Sequence, residues 1–317
     1  MKNVVVIGGG HGQAAVLRGI KDIDSIHLTT IVTVADDGGS TGKLRRDFQI
    51  PAMGDIRGVM IALAESESLL STLMNYRFDE TSETMGGHNL GNIILTALTQ
   101  STGSFMDAIS MISKVLKVKG NIVPSTTQVI TLYAIMEDGT IVRGESNIPK
   151  VRNHIQKVYY NEPVKATEGA IQAIYDADYI VYGAGSLYTS ILPNIIIDDI
   201  KQAIQQSKAK KIYFCNPMTQ SGETEFYTVE DHVKAIEDHV QDKSALKVCC
   251  FPRFGCVIIL VESCCATDSC CKSCLISYGN KCCASICKSL SCCVDLSLVY
   301  ASLVSDKLVA CSNEECF

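Results

Sequence analysis

Short, nearly unbroken apolar runs recur along the first 245 residues, and glycine-rich turns follow several of them. Runs at 4–7, 29–34, 128–136, 179–182 and 211–215 are β-branched and apolar, as strands buried on both faces must be. Helix candidates lie between them, at 14–21, 56–64, 89–100, 105–116, 166–177 and 198–207. Strand–helix alternation implies right-handed βαβ units and a doubly wound, mostly parallel sheet. One stretch breaks the rhythm. Residues 130–146 read ITLYAIMEDGTIVRGES, with Asp138-Gly139 between two alternating apolar runs. That pair predicts an inserted β-hairpin forming a small accessory sheet.

With 317 residues and 47% apolar content, the chain can build one large α/β domain or two modest ones. The net charge is −6 and no long basic run exists, which argues against nucleic acid as a partner. Lys208, Lys210 and Lys211 read as a solvated helix end. The first apolar run, VVVIGGG, is too short for a signal peptide or a membrane span, so a cytoplasmic location is expected.

Cysteine usage divides the chain. Of 16 cysteines only Cys215 precedes residue 249. A boundary near 245 is therefore expected, with a nucleotide-binding domain at 1–245 and an atypical Cys-rich tail at 246–317. Three readings of the tail stand open. One is a metal module, for which Cys271 and Cys274 supply a single CxxC pair. Another is a disulfide framework, which fits poorly beside a cytosolic domain. The leading one is a translated frameshift fused to a truncated domain.

Six motifs carry candidate chemistry. IGGGHGQAAVLRG (7–19) places Gly9, Gly10, His11 and Gly12 between a strand and a helix, where backbone amides can meet a phosphate. Gly10, Gly12 and Ala15 also fit the dinucleotide-binding turn. TVADDGGSTGKLRRDF (33–48) joins Asp36 and Asp37 to Gly38, Gly39 and Ser40. Adjacent carboxylates beside such a loop suit Mg²⁺ held jointly with phosphate oxygens. Lys43, Arg45 and Arg46 follow, either to neutralise phosphate or as a solvated helix face. PAMGDIRG (51–58) offers Asp55, as a helix cap or a second metal ligand, and Arg57. MGGHNLGNIILTAL (85–98) puts His88, Asn89 and Asn92 at a helix start. YGAGSLYTSILPN (182–194) repeats the phosphate-loop logic at Gly183, Gly185 and Ser186. NPMTQSGET (216–224) adds Asn216 and Thr219. Strand C-termini share one edge of a parallel sheet, so these loops are expected to converge on one cleft.

In this order, GGGxG, TVADDGGSTGKLR, GDIR, GHNLGN, GxGSLYTSILPN and MTQxGET resemble the CofD-like family, over roughly residues 3 to 240. Within it the chain is most similar to the branch of bacterial gluconeogenesis factors (YvcK-type). The resemblance implies a Rossmann-like α/β fold. It implies nucleotide contacts at Gly9, Gly10, Gly12, Gly185 and Ser186, and polar or metal-linked roles for Asp36, Asp37 and Asp55. His88, Asn89 and Asn92 would lie near the second half of the ligand, and Asn216 and Thr219 beside a base or sugar. One branch of the family is a Mg²⁺-dependent 2-phospho-L-lactate transferase. The other is a regulator that binds UDP-sugars and is required for cell shape on gluconeogenic carbon. His11, Gly58, Ala184 and Ser221 depart from the family pattern. The expected function is thus a UDP-sugar-binding regulator, with Mg²⁺ at Asp37 and Asp55 as a possible cofactor and a homo-oligomer as a possible assembly. The alternative is a transferase using a nucleotide-diphosphate-linked donor.

Overall fold

The computed structural model describes residues 1–65, 69–216 and 218–241, with the backbone of 247–248 and 257–260. The Cys-rich stretch is otherwise outside the described residues. Strand β1 (Lys2–Gly8) leads into α1 (Gly10–Ile20), then β2 (Ile26–Val32). Five helices follow: α2 (Gly39–Phe48), α3 (Gly54–Leu63), α4 (Leu69–Asn75), α5 (Leu90–Thr102) and α6 (Phe105–Val115). β3 (Asn121–Pro124) returns to the sheet. Next come β4 (Leu132–Met136), β5 (Ile141–Arg143), a 3-10 turn at Glu145–Lys150 and β6 (Ile155–Tyr160). After α7 (Glu168–Asp176) and β7 (Tyr179–Tyr182), a π-helical turn at Leu187–Ile191 runs into α8 (Leu192–Ile195). The chain continues through α9 (Asp198–Gln206), β8 (Lys210–Cys215), α10 (Val229–Val240), β9 (Lys247–Val248) and β10 (Val257–Leu260).

The main sheet has the order β3-β2-β1-β7-β8-β10-β9. The first five strands are mutually parallel, and β10 and β9 add antiparallel edges. β1 is central because Val4 to Ile7 can be buried on both faces, and all four are. Val6 stands level with Thr30 on one side and Val181 on the other. From β1 the chain first winds toward β3, then later resumes at β7 on the opposite side. That reversal opens a crevice beyond the C-terminal ends of β1 and β7.

The expected hairpin is present, with Gly139 at φ +83° in its turn. β4 pairs with β5 and also with β6, giving a separate three-stranded antiparallel sheet. Arg45 ties it to the core by donating to the Ile130 carbonyl and, at 3.2 Å, to the Thr131 hydroxyl. His239 on α10 accepts from the Val158 amide at 3.2 Å.

Several boundaries differ from expectation. β4 starts at Leu132 rather than 128, and α1 begins inside the glycine turn. Residues 39–48, outside the expected helix ranges, form α2, and Arg45 is not on its solvated face: Leu44 and Arg45 turn inward and bury against the core. β10 and β9, which lie after residue 245, stand beyond β8 in the main sheet. Among the described residues no helix is long and apolar enough to cross a membrane.

Candidate functional site

The crevice is built first by close backbone approach. A methyl group on Gly12 would lie 2.6 Å from the Ala184 carbonyl carbon and the Gly185 nitrogen. The turn after β1 therefore rests directly on the turn after β7, and only glycine permits it. A methyl on Gly9 would stand 2.5 Å from Asp55 Oδ2 and 2.6 Å from Thr33 Cγ2. Gly10, at φ +64°, opens α1 and gives its amide to the Asp55 carboxylate.

Carboxylates gather on the floor of this crevice. Burial, then the charge of Asp36, pushes Asp55 up to about 7. Burial also raises Asp36, partly offset by the Gly38 amide at 2.8 Å and by the Thr41 hydroxyl. The neighbouring Asp37 faces the accessory sheet instead. Its Oδ1 accepts from the Ser146 amide at 2.9 Å. The 3-10 turn of that sheet adds a further acid. Burial, then Asp36, Asp55 and Asp37, pushes Glu145 up to about 8. Glu145 carried no signal in the sequence, where an acid trailing a hairpin reads as solvated. Among the described residues, no three His, Cys, Asp or Glu side chains lie close enough to enclose a metal by themselves.

The GHNLGN motif forms a second wall. Asn89 caps α5, its side chain accepting from the Asn92 amide at 3.1 Å. Ser40, on the first turn of α2, accepts from the Asn89 amide at 3.0 Å and lies 3.3 Å from His88 Nδ1. Arg57 donates from Nε to Asn92 Oδ1 at 2.9 Å. Helices α2, α3 and α5 thus present their N-terminal turns to one region.

The third wall is a clamp between residues 183–191 and 216–224. Asn216 bonds Gly185 through both ends of its amide, at 3.3 and 2.9 Å. The Ser186 hydroxyl donates to Gln220 Oε1 at 2.9 Å. Glu223, only 3% exposed, accepts from the Tyr188 amide at 3.1 Å and the Thr189 hydroxyl at 2.8 Å. The helical turn at 187 therefore already has its anion. The phosphate-loop reading of YGAGSLYTS is narrowed to Gly185 and Ser186, because an internal carboxylate occupies the donors behind them. Gly183 has a packing reason, since a methyl there would meet Ile191 Cδ1 at 2.9 Å.

Of the expected residues, Gly9, Gly10, Gly12, Asp36, Asp55, Gly185 and Ser186 line the crevice or its rim, and Ser40, Arg57, His88, Asn89 and Asn92 join at its second wall. Gly38 is the N-cap of α2 and Gly39 its first residue, with open space around it. His11 and Thr219 are exposed. Arg45 is buried beneath the Asp36 loop and donates to backbone carbonyls, so it cannot reach a ligand. Glu223 and Gln220 sit inside a motif legible in the sequence, though not as its working residues. A cavity of about 250 Å³ lined by Lys21, His27, Lys119 and Gly120 lies at the N-terminal ends of β2 and β3, at the opposite edge of the strands from the crevice.

The family model described as 2-phospho-L-lactate transferase CofD matches residues 4–269. The chain is 50% identical over 239 residues to a gluconeogenesis factor of Halalkalibacterium halodurans, covering 75% of this chain and 74% of that one. It is 45% identical over 238 residues to the gluconeogenesis factor of Bacillus subtilis, covering 75% and 74%. A crystal structure of a Bacillus halodurans protein superposes with a TM-score of 0.75 at 48% identity, covering 78% of this chain and 79% of that one.

Proposed function

The chain belongs to the CofD family, alongside the gluconeogenesis factors, and on that premise we propose that it is a cytoplasmic regulator whose cleft binds a UDP-sugar. The observation that carries this is the backbone contact between Gly12 and Ala184-Gly185, which leaves two glycine turns side by side at the sheet's switch point. Such a seam suits a diphosphate. Asn216, held beside Gly185, would face the base or sugar. Occupancy of the cleft would alter contacts with partners, or with a second copy of the chain, and so influence cell shape during gluconeogenic growth. Titrating the full chain with UDP-N-acetylglucosamine tests this. Saturable binding is expected, and none at millimolar ligand would remove the reading.

A second reading has its own support in the acid set and in the transferase description of the family model. Mg²⁺ held by Asp55 with Asp36 or Asp37 would neutralise a diphosphate leaving group. Asp55 accepts the Gly10 amide and so orients the first glycine turn whether or not a cation is present. If this reading holds, Asp55→Asn lowers turnover, and unchanged turnover with unchanged nucleotide affinity counts against it.

A further inference from the structure

We propose that Ser190 supplies the hydroxyl donor for the diphosphate in the seam, and that Ser186, whose hydrogen is turned inward, does not. This rests on the preceding reading in that the seam between the two glycine turns is where the phosphates lie.

Ser190 bridges the two turns. Its Oγ lies 3.6 Å from where a methyl on Gly10 would stand, and its Cβ lies 3.5 Å from where a methyl on Gly185 would stand. Among the described residues no other side chain comes within 4 Å of both positions. Asp55 Oδ1 also reaches the Gly10 position, at 3.9 Å, but its carboxylate already accepts the Gly10 amide. The backbone of Ser190 is tied to the end of β1. Asn194 Nδ2 donates to the Ser190 carbonyl at 2.8 Å and to the Gly8 carbonyl at 3.0 Å.

The hydrogen bonds of the π-helical turn leave the Ser190 hydroxyl unclaimed. The Tyr188 hydroxyl pairs with that of Tyr227 at 2.8 Å, and the Thr189 hydroxyl donates to Glu223 at 2.8 Å. A helical serine commonly turns back to the carbonyl four residues earlier. Here that carbonyl, on Ser186, already accepts the Ser190 amide at 2.9 Å and the Ile191 amide at 3.0 Å. Among the described residues the Ser190 hydroxyl has no hydrogen-bond partner. It is unpaired yet not sealed from solvent, as a donor kept for a ligand must be.

Ser186 is set the other way. Its hydroxyl donates to Gln220 Oε1 at 2.9 Å, and the Glu223 carboxylate draws the same hydrogen. Gln220 is held in that orientation because its Nε2 donates to Glu223 Oε1 at 3.0 Å. Ser186 is thus left with lone pairs to offer, which repel a phosphate oxygen and suit an O–H or N–H of the ligand. Glu223, acting through Gln220, is the positioning residue that gives the two serines opposite roles.

Titrating the full chain with inorganic pyrophosphate and, separately, with UDP-N-acetylglucosamine tests this. Saturable pyrophosphate binding is expected in the wild type. Ser190→Ala removes one oxygen and keeps the backbone bonds of the turn, so its urea midpoint should match the wild type. It should weaken both ligands about tenfold, as expected for a lost hydrogen bond to a charged oxygen. Ser186→Ala should weaken pyrophosphate less than Ser190→Ala does. No saturable pyrophosphate binding at millimolar ligand, equal binding by wild type and Ser190→Ala, or an equal loss in Ser186→Ala overturns the proposal. If pyrophosphate binds and separates the two variants while UDP-N-acetylglucosamine does not bind, the function proposed above falls and this assignment stands.

Discussion

A single carbon at position 12 would collide with the backbone of residues 184 and 185, and that backbone cannot swing aside as a side chain would. Gly12→Ala is expected to cost about 1–3 kcal/mol by forcing the two turns apart. Urea denaturation measures the loss, and ligand titration shows whether affinity falls with it. Glu223 presents the opposite problem, a buried carboxyl group that must keep its donors. Glu223→Gln puts an amide hydrogen against the Tyr188 amide or the Thr189 hydroxyl. A loss of about 1–3 kcal/mol is expected, with faster amide exchange at Tyr188 as the specific sign.

At the scale of elements, four of the five parallel strands and the hairpin were legible because their signals are local, whereas the short β3 (Asn121–Pro124) was not among the expected runs. Short, β-branched apolar runs closed by glycine turns read as strands buried on two faces, and Asp138-Gly139 admits the positive φ its turn requires. α2 was hidden because Gly39, Gly42 and a run of cations mask a helix whose inward face is short. Its Arg45 illustrates why: the stem and guanidinium are buried against carbonyls that no pattern announces. Glu145 reaches the carboxylate set only because the accessory sheet folds back on the core, a long-range event. That docking is testable. Gly144 sits at φ +96°, and a methyl there would lie 2.7 Å from Asp37 Oδ2. Gly144→Ala should therefore loosen the 3-10 turn, and hydrogen exchange should quicken at the Ser146 amide while β1 and β7 stay protected.

Over the whole molecule, the acids that surround the crevice make stability depend on pH. Asp55 and Glu145 titrate near 7 and 8 when folded, above the 3.8 and 4.5 of the free groups. Between these limits the folded chain holds more protons than the unfolded one, so their contribution falls as pH rises from about 4 to 8. Below that window it is fully present, and above it the loss is complete. Asp55→Asn and Glu145→Gln should flatten the decline, each recovering about 3 kcal/mol at pH 8 relative to pH 5. Urea midpoints at the two pH values decide it.

The 3-10 turn at Glu145–Lys150 touches both sides of the crevice. Its Ser146 amide grips Asp37, and its Pro149 carbonyl packs so tightly on Gly222 that no side chain fits there. It behaves as a buckle across a split collar. Tension applied to the outer hairpin is therefore delivered to Asp37 and to Gly222 together.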